Sequence, residues 1–213
     1  MKKTSIKKEQ ARLFKNPVLE YFTKTSLLES TMTSVGIALV CIWIGNTLNP
    51  DMTLNWSIGL FVAGLLFWSP FEYLLHRYIF HIAEDAFKGS RRMQYLIHGV
   101  HHEEPNDIQR TLMPFLPKII YAVVFFALYY IILGKNSPYF SAGFMMGYYG
   151  YSMLHYSIHR FRAPNWLKPL WHHHHIHHHL HNDKAYGVSS TFWDRFFKTM
   201  PPKNTLKSKE VKG

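Results

Sequence analysis

The chain has 213 residues, enough for one domain; 47% of them are apolar, 16% are aromatic, and the formal charge is +11. The apolar residues gather in long uncharged blocks, so the positive charge points to an anionic membrane surface and away from nucleic acid. The single cysteine, Cys41, excludes an internal disulfide and sits in an apolar block as a small packed hydrophobe.

Residues 1–26 form a basic segment carrying seven Lys/Arg: Lys2, Lys3, Lys7, Lys8, Arg12, Lys15 and Lys24. No short apolar core with a small-residue cleavage site appears there, so no cleavable signal peptide is expected. The first apolar block then runs from Met32 to Leu48, and the second from Leu54 to Phe71, continuing past Glu72 to Leu75. The third lies between Lys118 and Lys135, and the fourth runs from Ser137 to Leu154. A span needs about 20 largely apolar residues. The first, second and fourth blocks meet this. The third does so only if Lys118 snorkels to the interface and the segment back to Leu112 joins in.

Asn49-Pro50-Asp51 breaks the first pair of blocks and Gly134-Lys135-Asn136-Ser137-Pro138 the second, giving two hairpins with short connectors. The connector at 49–53 carries no Lys/Arg and the second carries only Lys135, whereas five fall within 76–113 and ten after Leu154. By the positive-inside rule both termini and the central segment face the cytoplasm. Gly143 and Gly147 form a small-xxx-small pair that lets two helices approach closely.

Fifteen histidines fall in four clusters. They are His76 and His81; then His98, His101 and His102; then His155 and His159; then the run from His172 to His181. Each residue of an α-helix turns about 100°, so positions i, i+3 and i+4 share a face. His98, His101 and His102 fit this pattern, as do His155 and His159, and as do His175, His178 and His179. The i, i+5 spacing of His76 and His81 does not fit an ideal helix. Either one of the two sits where the helix ends or is distorted, or they bind different metals. His76 and His155 directly follow apolar blocks, and the other clusters lie on the same predicted side, so all four meet at one end of a helix bundle. Neutral imidazole suits Zn, Cu, Fe and Ni, and ten candidate ligands suit two ions better than one. His172 and His173 are read as bystanders. His174, His177 and His181 are candidates to orient the ligands from behind, with a surface role as the alternative.

The order HxxxxH, HxxHH, HxxxH, HxxHH resembles the fatty acid hydroxylase superfamily, which includes sterol desaturases. Several stretches are similar to its fatty acid 2-hydroxylase branch: Glu72–His81, His98–His102 followed by Pro105 and Asp107, Arg110–Pro114, Gly150–His155, and Gly187–Asp194. The likeness covers about 72–197. It implies an all-α integral membrane protein of about four transmembrane helices, with a cytosolic histidine-rich helical cap holding a di-metal centre. Carried over position by position, the ligands are His76, His81, His98, His101, His102, His155, His159, His175, His178 and His179. A second register of the last motif uses His174, His177 and His178. The later register is preferred for its distance to Asn182, a further outer candidate, and to Gly187-Val188. The implied cofactors are two iron ions, replaceable by zinc on isolation, and O2. The implied reaction hydroxylates a fatty-acyl chain, at C-2, of a fatty acid or sphingolipid. The cytochrome b5 domain fused in some relatives has no counterpart in this sequence, so a separate donor of cytochrome b5 or ferredoxin type is implied. The bacterial inner membrane is the favoured location and the endoplasmic reticulum the alternative.

The rivals are a sterol or carotenoid hydroxylase or desaturase and, from another class, a membrane metal transporter or sensor. A transporter needs ionisable groups along its path, and the blocks carry almost none. The whole chain reads as one domain, with a basic tail at 201–213. Before that tail, Phe192, Trp193, Phe196 and Phe197 form an apolar helical stripe, with Asp194, Arg195 and Lys198 expected on the other side and Thr191 as a cap.

Overall fold

The computed structural model describes residues 12–203 and Thr205; Lys2, Lys3, Lys7, Lys8 and most of the basic tail lie outside them. The described residues hold helices and no strand. In chain order they are α1 (Pro17–Tyr21), α2 (Leu27–Leu48), α3 (Leu54–Leu75), α4 (Ser90–Gln94), α5 (Val100–Glu103), α6 (Phe115–Leu133), α7 (Ser137–Arg160), α8 (Lys168–His179) and α9 (Phe192–Phe196). Two π-turns, His76–Phe80 and Tyr95–Gly99, precede histidine-bearing segments.

Three helical runs are long and apolar enough to cross a membrane: Leu27–Leu48, Leu54–Phe80 and Phe115–Arg160. The third, of 46 residues, holds both α6 and α7, joined by a 3-10 turn at Gly134–Asn136. Gly134 has φ +56°, where a side chain would be strained, and it breaks the run. Asn49 Nδ2 donates to Lys135 O at 3.0 Å, so both hairpin connectors sit at one end of the bundle. Side chains such as Leu39, Trp43, Leu66 and Ile131 are more than half exposed, as lipid-facing positions require. The protein is an integral-membrane type by these helices.

The central helix is α7, packed against α3, α2 and α6. Its contact with α3 is backbone to backbone. A Cβ at Gly143 would lie 1.8 Å from Phe61 O, one at Gly147 2.4 Å from Trp68 Cβ, and one at Gly64 2.0 Å from Phe140 O. The paired glycines thus permit the closest crossing of the bundle. Trp68, Phe144, Met145, Tyr148 and Tyr151 fill the core below it.

Lys118 does not snorkel, and Leu112 does not join the span. The helix begins at Phe115 after the Pro114 cap. Lys118 is fully buried, donating to Ser30 Oγ at 2.7 Å, Ser30 O at 3.1 Å and Ser34 Oγ at 3.3 Å. Three oxygens on α2 satisfy its three donors, which makes the inward position tolerable.

In the stripe at the C-terminal end one residue departs from the expected pattern. Phe192 and Phe196 are exposed, whereas Asp194 is fully buried, and Thr191 makes no side-chain cap. The carboxylate is drawn inward by four hydrogen-bond donors: Tyr186 N, Gly187 N, Thr199 Oγ1 and His173 Nε2.

Candidate metal centre

The i, i+5 spacing of the first histidine pair is explained by the π-turn that follows α3. His81 N donates to His76 O at 3.1 Å, an i to i+5 bond that replaces the α-helical one and inserts one residue into the turn. The helix is distorted and both rings face the same point. A second π-turn at Tyr95–Gly99 delivers His98 ahead of α5, which carries His101 and His102.

The imidazoles meet in two groups at the end of the bundle away from the connectors. The first group is His76, His81, His98, His102 and His177; the second is His101, His155, His159, His174 and His178. Within each group the nitrogen atoms that face inward lie within 4.8 Å of one another. Nε2 separations in the first are 3.1 Å for His76–His98 and His98–His102, and 3.0 Å for His81–His177. In the second they are 3.1 Å for His101–His155 and His101–His159, 3.2 Å for His155–His159, and 3.0 Å for His159–His174. The groups abut: His102 of one stacks on His178 of the other at 4.2 Å between ring centres.

Eight of the ten histidines expected as ligands are brought together, and His175 and His179 are not. The last motif uses the earlier register, with His174, His177 and His178 facing inward. His174 and His177 are fully buried, and His179 is exposed. The reason lies in the solvent face of α8. Lys168, His172, His175 and His179 fall at i, i+4, i+7 and i+11, one stripe, and the lysine charge holds it outward. Of the outer candidates, His174 and His177 are therefore inner residues. His181 lies 3.2 Å from Thr205 Oγ1, and Asn182 is exposed and outside both groups. His173, read as a bystander, is 2% exposed and bonded to Asp194.

Tautomers follow from backbone acceptors. His76 Nδ1 faces Tyr186 O at 2.5 Å and His177 Nδ1 faces Lys184 O at 2.7 Å. A carbonyl only accepts, so each Nδ1 carries the proton and each Nε2 turns a lone pair into the group. Burial, with the charge of neighbouring imidazoles, also keeps the cap histidines neutral. It pushes His81 down to about 3 and His102 to about 4, and it holds His98, His101, His174, His177 and His178 far below the usual histidine range.

Five neutral imidazoles aiming nitrogen atoms at one point repel unless a cation lies between them. Metal–nitrogen bonds of about 2.0–2.1 Å place adjacent ligand atoms about 3 Å apart, matching the separations observed. Both ring nitrogens of His178 are buried without a hydrogen-bond partner among the described residues, so the ring has a lone pair free for an ion. The donor set fits two ions that accept imidazole, one per group.

An apolar cavity of about 560 Å³ runs up to these groups and touches His98, His101 and His155. Leu75, Val100, Met113 and Tyr148 are among its walls. Residues 13–23 close one side, held by Glu20, whose Oε2 accepts from Leu13 N at 2.9 Å and Phe14 N at 3.0 Å. The other Glu20 oxygen pairs with buried Arg110, which also holds Asp107 at 2.6 Å. A hydrocarbon chain fits such a lining, which also carries the polar groups of Arg110, Thr111 and Ser152.

The carbonyl acceptors at 184 and 186 and the buried carboxylates Glu72 and Asp194 escaped the reading of the sequence. The signals were Glu72, a charge interrupting the second apolar block, and Asp194, an acidic residue among the aromatic residues of the C-terminal stripe.

The family description "Fatty acid hydroxylase" matches residues 61–199. The chain is 31% identical over 199 residues to dihydroceramide fatty acyl 2-hydroxylase FAH2 of Arabidopsis thaliana, covering 91% of this chain and 81% of the relative. It is 32% identical over 212 residues to fatty acid 2-hydroxylase of Mus musculus, covering 90% of this chain but 57% of that larger protein. A solved structure of full-length scs7p, in which only the hydroxylase domain is visible, superposes with TM-score 0.78 at 30% identity, covering 89% of this chain and 72% of that one. With two histidine groups, an apolar cavity reaching them and these likenesses together, the chain belongs to the fatty acid hydroxylase family and is a hydroxylase, an oxidoreductase.

Proposed function

We propose that this protein is an O2-dependent monooxygenase that places a hydroxyl group at C-2 of a fatty-acyl chain, in a fatty acid or a sphingolipid, using two irons. The observation that carries the reading is the apolar cavity touching His98 and His101, residues of both histidine groups. Relatives named for 2-hydroxylation and for dihydroceramide acyl groups support the position and the substrate class.

The ten inward histidines would hold the two irons, which would supply the reductive activation of O2 that attack on an unactivated C–H bond requires. The polypeptide does the rest. Leu75, Val100 and Met113 bind the chain by burial, the wall at 13–23 keeps water out, and the Nδ1–H bonds of His76 and His177 fix their rings. One oxygen atom enters the C–H bond and the other leaves as water, with two electrons delivered by a separate donor of cytochrome b5 or ferredoxin type and two protons drawn from solvent. Zinc accepts the same imidazoles and is expected in purified samples. Four spans with both termini cytoplasmic follow from the Lys/Arg asymmetry and put the histidine cap on the donor's side.

Lipid mass spectrometry of cells expressing the intact chain is the test. Acyl species heavier by one oxygen, with fragmentation placing it at C-2, are expected. Products hydroxylated elsewhere overturn the position, and hydroxylated sterols or new double bonds overturn the substrate and reaction class.

A further inference from the structure

The two histidine groups are braced differently. Both Nδ1 acceptors named above, Lys184 O and Tyr186 O, belong to one loop and serve the first group only. In the second group, His101, His174 and His178 have buried Nδ1 atoms with no partner among the described residues, and His155 bonds the Thr111 backbone.

That loop is gripped from two sides by buried carboxylates. On one side Glu72 Oε1 accepts from Val188 N at 2.9 Å and Ser189 N at 2.8 Å, and Ser189 Oγ donates to Oε2. On the other, Asp194 Oδ1 accepts from Tyr186 N at 3.0 Å and Thr199 Oγ1 at 2.7 Å, while Oδ2 accepts from Gly187 N at 2.8 Å and lies 3.0 Å from His173 Nε2. The fit is tight, since a Cβ at Gly187 would meet Ser190 O at 2.1 Å and Asp194 Oδ2 at 2.9 Å. Ala185, between the two carbonyls, has φ +60°, a conformation alanine adopts only when its surroundings impose it. Ala185 N is tied to Thr199 O at 2.9 Å. The left-handed residue turns the chain so that the carbonyls before and after it both face the first group.

We propose that Asp194 and Glu72 are positioning residues for one metal site only: they hold the 184–189 loop so that its carbonyls orient His76 and His177, and the second site does not depend on them. This rests on the two-ion reading above. Neither carboxylate belongs to either histidine group. Each holds the loop through backbone N–H groups of 186–189, and the link is electrostatic and geometric.

The two carboxylates differ in what an amide can replace. In Asp194→Asn either orientation of the amide sets an NH2 against donors, because both oxygens accept from backbone N–H groups. In Glu72→Gln the amide oxygen keeps both backbone donors, and the NH2 can donate to Ser189 Oγ once that hydroxyl turns to accept, so this variant is the milder of the two.

The experiment is elemental analysis of the full chain in detergent, after a graded chelator challenge, with size exclusion to confirm folding. Wild type is expected to hold two ions, and Glu72→Gln, which keeps both backbone donors, to release one of them at a chelator concentration between those of wild type and Asp194→Asn. Asp194→Asn is expected to hold one, the other being released at a chelator concentration 10–100-fold lower, the usual cost of losing an outer partner of a ligand. Thr199→Val, which removes one hydrogen bond to Asp194 and the one from Tyr73 OH while keeping the side-chain shape, is the milder variant. It is expected to weaken one ion by a smaller factor if Asp194→Asn does not fold. Retention of both ions at wild-type affinity in Asp194→Asn and Thr199→Val overturns the inference, and so does equal weakening of both. A wild-type chain holding fewer than two ions overturns the two-ion reading instead.

Discussion

Neighbouring histidines on α8 have opposite roles, and paired substitutions separate them. His174 is fully buried with Nε2 3.0 Å from that of His159; His175 stands on the stripe with Lys168 and His179. His174→Ala removes a donor aimed into the second group. The affinity loss for that ion is expected to be at least the 10–100-fold seen when only an outer partner is lost, about 1.4–2.7 kcal/mol. His175→Ala touches neither group and is a surface change, within about 0.5 kcal/mol, so less than about 2.5-fold. The same contrast holds for His178→Ala against His179→Ala. Ion content per folded chain across a chelator series reads both pairs. Loss of an ion in His175→Ala equal to that in His174→Ala, in monodisperse protein, would refute the inward register and restore the later one.

Gly143→Ala is expected to lower thermal stability by about 1–3 kcal/mol, since Phe61 O is a backbone atom that cannot step aside; Gly150→Ala, with open space around it, is the neutral control. The metal-stripped chain is expected to lose stability in acid. His81 and His102 titrate near 3 and 4 when folded against about 6.5 unfolded. Their contribution is therefore full above pH 6.5 and is lost as pH falls toward 3, readable by thermal melts between those limits. A cysteine placed at Asp51 and one at Asn182 are expected to be labelled from opposite sides of the membrane, with little background from buried Cys41; labelling from one side defeats the proposed topology.

Much of the site was legible because imidazole spacing and helix period are independent signals that agreed. His98, His101 and His102 needed no structure to share a face. The i, i+5 pair could be flagged but not resolved, because a π-turn has no propensity signature: nothing in Arg77-Tyr78-Ile79-Phe80 announces it. The last motif failed on choice of face, although the lysine at 168 marked the outer side of α8. Lys118 and Asp194 were misplaced for a common reason. Sequence patterns treat a charge as seeking water, but three oxygens on α2 and four donors around the aspartate supplied a substitute for water that only the folded chain assembles.

The π-turn makes the length of the segment between His76 and His81 matter more than its composition. Ile79 is 43% exposed, and trading it for another apolar residue leaves the ring positions alone. Removing it would leave the two histidines four positions apart, the spacing at which an ordinary α-helix already puts two residues on one face. The bulge would then be lost with both rings still aimed at the same point, whereas one added residue would turn His81 away by about 100° though no ligand had been altered. Four-residue and five-residue spacings are thus two backbone solutions to one ligand geometry, and an alignment that opens a one-residue gap between the two histidines pairs them correctly.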